Sequence, residues 1–264
     1  MRMGMIDSLK GTEHEPDLPY ELFAASFKGT ITKRADAPED ISGYFLPKSF
    51  TCPICDYDFM AIVLRESKLR LLSTQGLRPV YKDIEPLCYD TMMCVNCGYA
   101  ATSSKFDLHS ERQTRLLTEG VRTNYMKYLP LEYPFELDYK MAIERNKYAL
   151  LSACVKKSTV GEKAYLLMKT AWLYELAGDE ENELLFSKYA YEYWSRAYQT
   201  ERPPIFGLSE AAVTYLLSEY AYKMGDHSIA LKHLSEIIVN QELSSRLRGL
   251  ATELKEKIME KRAD

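Results

Sequence analysis

The 264-residue sequence contains no run approaching the roughly 18 consecutive apolar residues that a bilayer-spanning helix needs. Between Met1 and Leu22 it carries Asp7, Lys10, Glu13, Asp17 and two prolines, so it lacks the uninterrupted apolar core of a signal peptide. These absences lead us to expect a cytoplasmic protein. There is also no excess of positive charge: 34 Lys and Arg face 38 Asp and Glu, for a net charge of -4 and an isoelectric point near 5.7. A protein that coats a polyanion usually concentrates cations in the binding domain, so nucleic acid is disfavoured as a partner. Nor is there a His-Glu-x-x-His, a Walker loop, a Gly-x-Gly-x-x-Gly turn or a Gly-x-Ser-x-Gly elbow. With every common catalytic signature missing, the sequence gives no reason to expect an enzyme.

What is present is a pair of cysteine knuckles. Cys52-Pro53-Ile54-Cys55 opens a stretch that Cys94-Val95-Asn96-Cys97-Gly98 closes. Two Cys-x-x-Cys pairs joined by a strand-like insert are the spacing of a tetrahedral zinc site, and an absent export signal favours a metal over disulfides. The expected ligands are Cys52, Cys55, Cys94 and Cys97, holding one structural Zn²⁺. The residue after each second cysteine needs a left-handed backbone; Gly98 supplies it freely and Asp56 tolerably. A four-cysteine site is coordinatively closed, and zinc in so small a module contributes folding free energy on the order of 10 kcal/mol.

Along the chain, residues 1–42 hold Pro16, Pro19 and Pro38 among clustered acids and show no sustained period, so this polar leader reads as mostly extended or disordered. Residues 43–104 read as a zinc-ribbon-like module, with strands over 59–64, 67–73 and 87–93. Residues 105–137 read as a broken amphipathic helix ending at Pro130, then an aromatic connector, Tyr133-Pro134-Phe135. From 138 to 264 helix follows helix. Thr159-Val160-Gly161-Glu162 is a capping box, Tyr165 to Ala177 is the most apolar helix and the expected centre of the array, and Gly178-Asp179 and Gly225-Asp226 each end one helix and cap the next. Leu243, Leu247, Leu250, Leu254 and Ile258 stripe the last one.

The glycines at 178 and 225 are 47 residues apart, longer than the roughly 34 of a tetratricopeptide repeat, so the sequence predicts a degenerate, elongated version of that repeat. Nine of the 20 tyrosines fall between Tyr165 and Tyr222. Tyr189, Tyr191 and Tyr193 alternate on one helix and cannot all face one way, so at least one is expected on a surface able to meet a protein or peptide.

Other candidates are weaker. An extended chain would put Cys88 about 20 Å from Cys94, too far to share a metal. Cys154 reads as a buried small hydrophobe, and His109 as a packing residue while both knuckles are intact. Arg65, Lys68, Arg70, Arg78 and Lys82 could grip phosphate, but seven basic and six acidic residues between Lys48 and Lys105 leave the module near neutral.

Taken together, Thr51-Cys52-Pro53-Ile54-Cys55, Ser67-Lys68-Leu69-Arg70, Pro86 to Asp90, Cys94-x-x-Cys97-Gly98-Tyr99-Ala100, Ala171-Trp172-Leu173-Tyr174 and Gly178-Asp179-Glu180-Glu181-Asn182-Glu183 resemble the bacterial domain-of-unknown-function family numbered 2225, over roughly residues 43 to 240. Asp56 stands where that family usually has glycine. The resemblance implies a zinc-ribbon-like part followed by a tetratricopeptide-like part and no activity. The expected fold is therefore mainly α, with a small β zinc ribbon preceding a helical array. The expected role is a non-enzymatic zinc-binding adaptor or scaffold recognising a protein or peptide; the alternative is a zinc-ribbon nucleic-acid-binding regulator.

Overall fold

The computed structural model describes residues 3–30, 40–125 and 137–263. It is mainly helical, with a strand region ahead of a helical array. The strands form three separate antiparallel pairs: β1 (Phe45–Thr51) with β2 (Asp58–Leu64), β3 (Leu71–Gln75) with β4 (Arg78–Tyr81), and β5 (Thr91–Met93) with β6 (Ala100–Thr102). Two strands begin later than their sequence suggests. Glu66–Lys68 forms a 3-10 turn before β3, and Pro86–Tyr89 forms another where extended chain is expected. Pro86 starts the second turn without wasting an N–H, and the Glu85 carboxylate accepts the Leu87 N–H at 3.1 Å, so Cys88 sits in a helical turn.

Helix α3 (Glu111–Leu117) opens with a capping box between Ser110 and Gln113 and runs into a π-turn, Thr118–Arg122. The expected helix end at Pro130 and the connector Tyr133-Pro134-Phe135 lie outside the described residues, as does Pro38. Then come α4 (Tyr139–Val155), α5 (Val160–Leu176), α6 (Glu180–Thr200), α7 (Glu210–Lys223), α8 (His227–Val239) and α9 (Ser245–Ala263), each packed on the next. Asp138, Thr159, Asp179, Ser209 and Asp226 cap five of them by accepting a backbone N–H. Gly178 and Gly225 have φ of +69° and +82°, and each donates its N–H to the carbonyl three residues back, while the following aspartate reaches five back. Lys157, at φ +55°, closes α4 in the same way.

Small residues let the β5–β6 hairpin lie directly on α4: Ala100 and Ala101 are buried, and the Ala100 N–H donates to the Ser152 hydroxyl at 3.3 Å. As a result α4, more than α5, is the enclosed helix, with 13 of its 17 residues buried against 11 of 17. Its polar members mask this in the sequence. Lys147 is buried yet reaches the Ala25 carbonyl at 2.8 Å and Glu144 at 3.1 Å, and burial lowers its amine to about 8.

Lys147 also marks the main departure from expectation. The leader is not loose over residues 3–30: α1 (Met3–Asp7) and α2 (Tyr20–Ala24) place Ile6, Leu9, Leu22 and Phe23 in the same buried cluster as the knuckle cysteines and the helices up to Tyr220. Described residues from 3–30, 40–125 and 137–220 thus contribute to one core. Only the last helices, from Tyr215 to Ile258, build a second, smaller cluster. The leader's apolar residues are too sparse for a periodic signal, because its helices α1 and α2 are only five residues long each and the chain between them is irregular. Phe23→Ala should lower the unfolding free energy in urea by about 3–5 kcal/mol, whereas a leader outside the fold would leave the midpoint unchanged.

Candidate metal centre

Each knuckle is the turn of a β-hairpin. Residues 52–57 link β1 to β2, whose last pair is Thr51↔Asp58, and residues 94–99 link β5 to β6, whose last pair is Met93↔Ala100. The two turns repeat one hydrogen-bond pattern. Cys52 N–H donates to Tyr57 O at 3.0 Å and Asp56 N–H to Cys52 O at 2.9 Å; Cys94 N–H donates to Tyr99 O at 2.8 Å and Gly98 N–H to Cys94 O at 2.9 Å. The left-handed positions fall at Asp56, φ +57°, and Gly98, φ +75°. They are not equivalent. A Cβ on Gly98 would stand 2.3 Å from the Tyr125 ring, so this glycine is required for space as well as for backbone angle.

The turns bring Cys52, Cys55, Cys94 and Cys97 together, with their sulfurs within 4.8 Å of one another. Across the knuckles, Cys52 and Cys97 are 3.6 Å apart and Cys55 and Cys94 3.7 Å apart. Four sulfurs at 2.3 Å from one tetrahedral ion would be separated by about 3.8 Å, so the donor set is compatible with a metal site. All four are free thiols. Three of them shift one another: hydrogen bonding to Cys94 and burial push Cys52 up, hydrogen bonding to Cys52 and Cys94 pushes Cys97 up, and Cys94, which accepts from both, is lowered. Four thiolates gathered here would repel one another strongly without a cation between them.

The surrounding residues tie the centre to the rest of the chain. Asn96 Nδ2 lies 3.4 Å from Cys55 Sγ, and Arg122, on the π-turn, donates to Ile54 O at 3.2 Å. Tyr125, which covers Gly98, meets Tyr148 of α4 edge-on at 5.8 Å between ring centres. His109 is not among the clustered sulfurs: its Nε2 contacts Tyr99 Oη at 2.6 Å and Phe106 O at 2.9 Å. Cys88 and Cys154 are buried elsewhere, and burial raises both thiols well above their usual range. Of the five-residue basic group, Arg78 is buried against Glu175 and Gln75, and Arg65 donates to Phe45 O at 3.0 Å.

A second feature escapes sequence reasoning. Residues 15–30 run across α4, α5 and α6, held largely through their main chain. Tyr193 donates to Asp17 O at 2.7 Å, Asn182 to Ser26 O at 2.9 Å, and the N–H of Lys28 donates to the Asp179 carboxylate at 2.7 Å. Thr30 N–H donates to Ala177 O at 2.9 Å, and a Cβ on Gly29 would stand 2.5 Å from that same oxygen. Side chains add Lys163 to Asp17 and Tyr189 to Glu21 at 2.5 Å. Burial works against ionising Asp17, but Lys163 outweighs it and holds the carboxyl below its usual range. Of the three alternating tyrosines, Tyr193 is buried, and Tyr189 and Tyr191 are half-buried. No helix among the described residues is long and apolar enough to cross a membrane.

A family model described as an uncharacterized protein conserved in bacteria (DUF2225) matches residues 45–261. No curated protein and no solved structure matches the chain.

The geometry separates the two knuckles in a measurable way. Gly98→Ala should cost at least about 1–2 kcal/mol from its backbone alone and speed metal loss to a chelator. Asp56→Gly should leave stability unchanged or raise it by up to about 1 kcal/mol, read from the thermal midpoint.

Proposed function

The chain belongs to this uncharacterised bacterial family, and we propose that it is a non-enzymatic adaptor: a zinc-stapled strand module fused to a tetratricopeptide-like helical array that recognises a protein or peptide partner. The observation that carries the reading is the way α4–α6 already grip a segment, residues 15–30, that is irregular chain apart from the single turn of α2. Tyr193, Asn182 and Lys147 donate to its carbonyls, Asp179 accepts from the Lys28 N–H, and the buried Leu22 and Phe23 add apolar contact. A surface that binds backbone in this manner suits a peptide segment whose main-chain groups are not all used in its own helix. The residues doing the gripping lie within the family match, whereas the segment gripped precedes it.

Zinc is the metal best suited to the centre, since four thiolates in tetrahedral separation select it over hard cations. Cys52, Cys55, Cys94 and Cys97 would hold it, and their full complement leaves no position for water or substrate. The ion would therefore contribute folding free energy, fixing the hairpins on which α4 rests.

Metal analysis of the purified chain should find one zinc per chain, absent from Cys94→Ser, with Cys88 and Cys154 the two thiols that react only on unfolding. For the partner, crosslinking in cells followed by capture should recover one protein reproducibly; repeated failure across growth conditions would count heavily against an adaptor. The grip itself can be measured by introducing a protease site within residues 31–39. After cleavage residues 1–30 should stay bound, and Tyr193→Phe should weaken that retention by about 1 kcal/mol.

A further inference from the structure

Between the tip of the β3–β4 hairpin and helices α5, α7 and α9 lies a cavity of about 340 Å³. Trp172, Tyr215 and Tyr222 contribute aromatic walls, and Glu219 lines it from α7. Its lining carries three cations, Arg78, Lys223 and Lys257, and three carboxylates, Glu175, Glu219 and Glu253, but they are not evenly paired. Arg78 Nη2 lies 3.5 Å from Glu175, and Lys223 Nζ lies 3.3 Å from Glu175 and 2.7 Å from Glu183. These two cations and two carboxylates satisfy one another. Glu253 and Lys257, on α9, stand together at the exposed rim, where Lys257 rests over the outer Tyr222 ring at 5.6 Å.

Glu219 is the member left over. Among the described residues its carboxylate has no hydrogen-bond or ion-pair partner, and a Cβ on Gly76 would stand 2.5 Å from its Oε1. The left-handed turn at Gly76, φ +57°, thus lays bare backbone over one side of the carboxylate and leaves the cavity as its open side. An unpaired carboxylate among aromatic rings is the arrangement that recognises an ammonium group, through one charge-assisted hydrogen bond and the negative faces of the rings.

We propose that this cavity binds a primary alkylammonium group, with Glu219 as its counter-ion and Trp172, Tyr215 and Tyr222 around its methylene chain. The group comes either from a free small amine or from a lysine side chain of a bound protein; the site stands independently of the peptide-binding face on α4–α6. Burial raises the Glu219 carboxyl to about 7, with Glu175 and Glu183 adding to the rise and Lys223 and Arg78 opposing it. A bound ammonium needs the ionised form, so affinity should strengthen as pH rises through about 7, where the amine itself stays protonated.

The test titrates the full-length chain with n-butylammonium, with N-acetyl-lysine methylamide and, as a neutral control, with butanol, following fluorescence. Of the two tryptophans, Trp172 lines the cavity, and Trp194 is fully buried and supplies a constant background. The expected result is a saturable change with an amine and none with butanol. Response to both amines identifies a site open to free amines, and response to the lysine amide alone identifies a protein side chain as the source. Glu219→Gln keeps the shape, removes a buried charge and should weaken binding about tenfold or more while flattening its pH dependence. No saturable response to either amine, an equal response to butanol, or unchanged affinity in Glu219→Gln would each overturn the proposal.

Discussion

Four sulfurs must meet at one point, and they arrive there on two hairpin turns separated by some forty residues of chain. That demand fixes more than the knuckles. It sets the register of β1 against β2 and of β5 against β6, because each pair ends at the turn that presents two cysteines. It also fixes the path of the insert between them, whose hairpin β3–β4 then projects toward α5 and α7 and closes the cavity over Glu219. Hairpins of three to seven residues per strand are not stable in isolation, so the pairing and the sulfur cluster depend on each other and on the surface beneath.

That surface is α4. A helix buried on almost every side needs cover from several elements, and here the cover comes from β5–β6, from α5, from the π-turn and from the N-terminal segment. The arrangement resolves what would otherwise be an expensive choice of residues. Lys147 and Asn146 are buried, but Lys147 finds a carbonyl of the leader and Asn146 finds both Thr91 and its own helix at Ala142. The polar groups of α4 thus specify which irregular segments lie against it. Apolar residues in their place would bury more surface but would not select the register of the leader.

This explains why some features could be read from sequence and others could not. The knuckles were legible because metal chemistry restricts residue type, spacing and the conformation at Asp56 and Gly98 all at once. Helix limits at Thr159, Asp179 and Asp226 were legible because capping places an oxygen at a fixed offset from the first turn. The end of α4 was not, since Lys157 occupies a left-handed position that normally announces itself as glycine. Nor was the leader's burial legible: Ile6, Leu9, Leu22 and Phe23 are spaced by the contours of α4–α6, a property of the assembled surface that has no period of its own. Cys88 stands apart from the four clustered cysteines, not at the end of an extended strand but in a turn initiated by Pro86.

The cysteine cluster meets the array through the β5–β6 hairpin on α4 and through two further side chains. Tyr125 fills the space a side chain at Gly98 would take and then meets Tyr148 of α4, while Arg122 holds the carbonyl of Ile54 in the other knuckle. Arg122 ends the π-turn and Tyr125 follows it by three residues, so one short stretch of chain reaches both knuckles. The same α4 supplies, through Lys147, one of the groups that hold the leader. The four clustered cysteines and the N-terminal segment are thus joined through one helix, because α4 packs against both the β5–β6 hairpin and the leader.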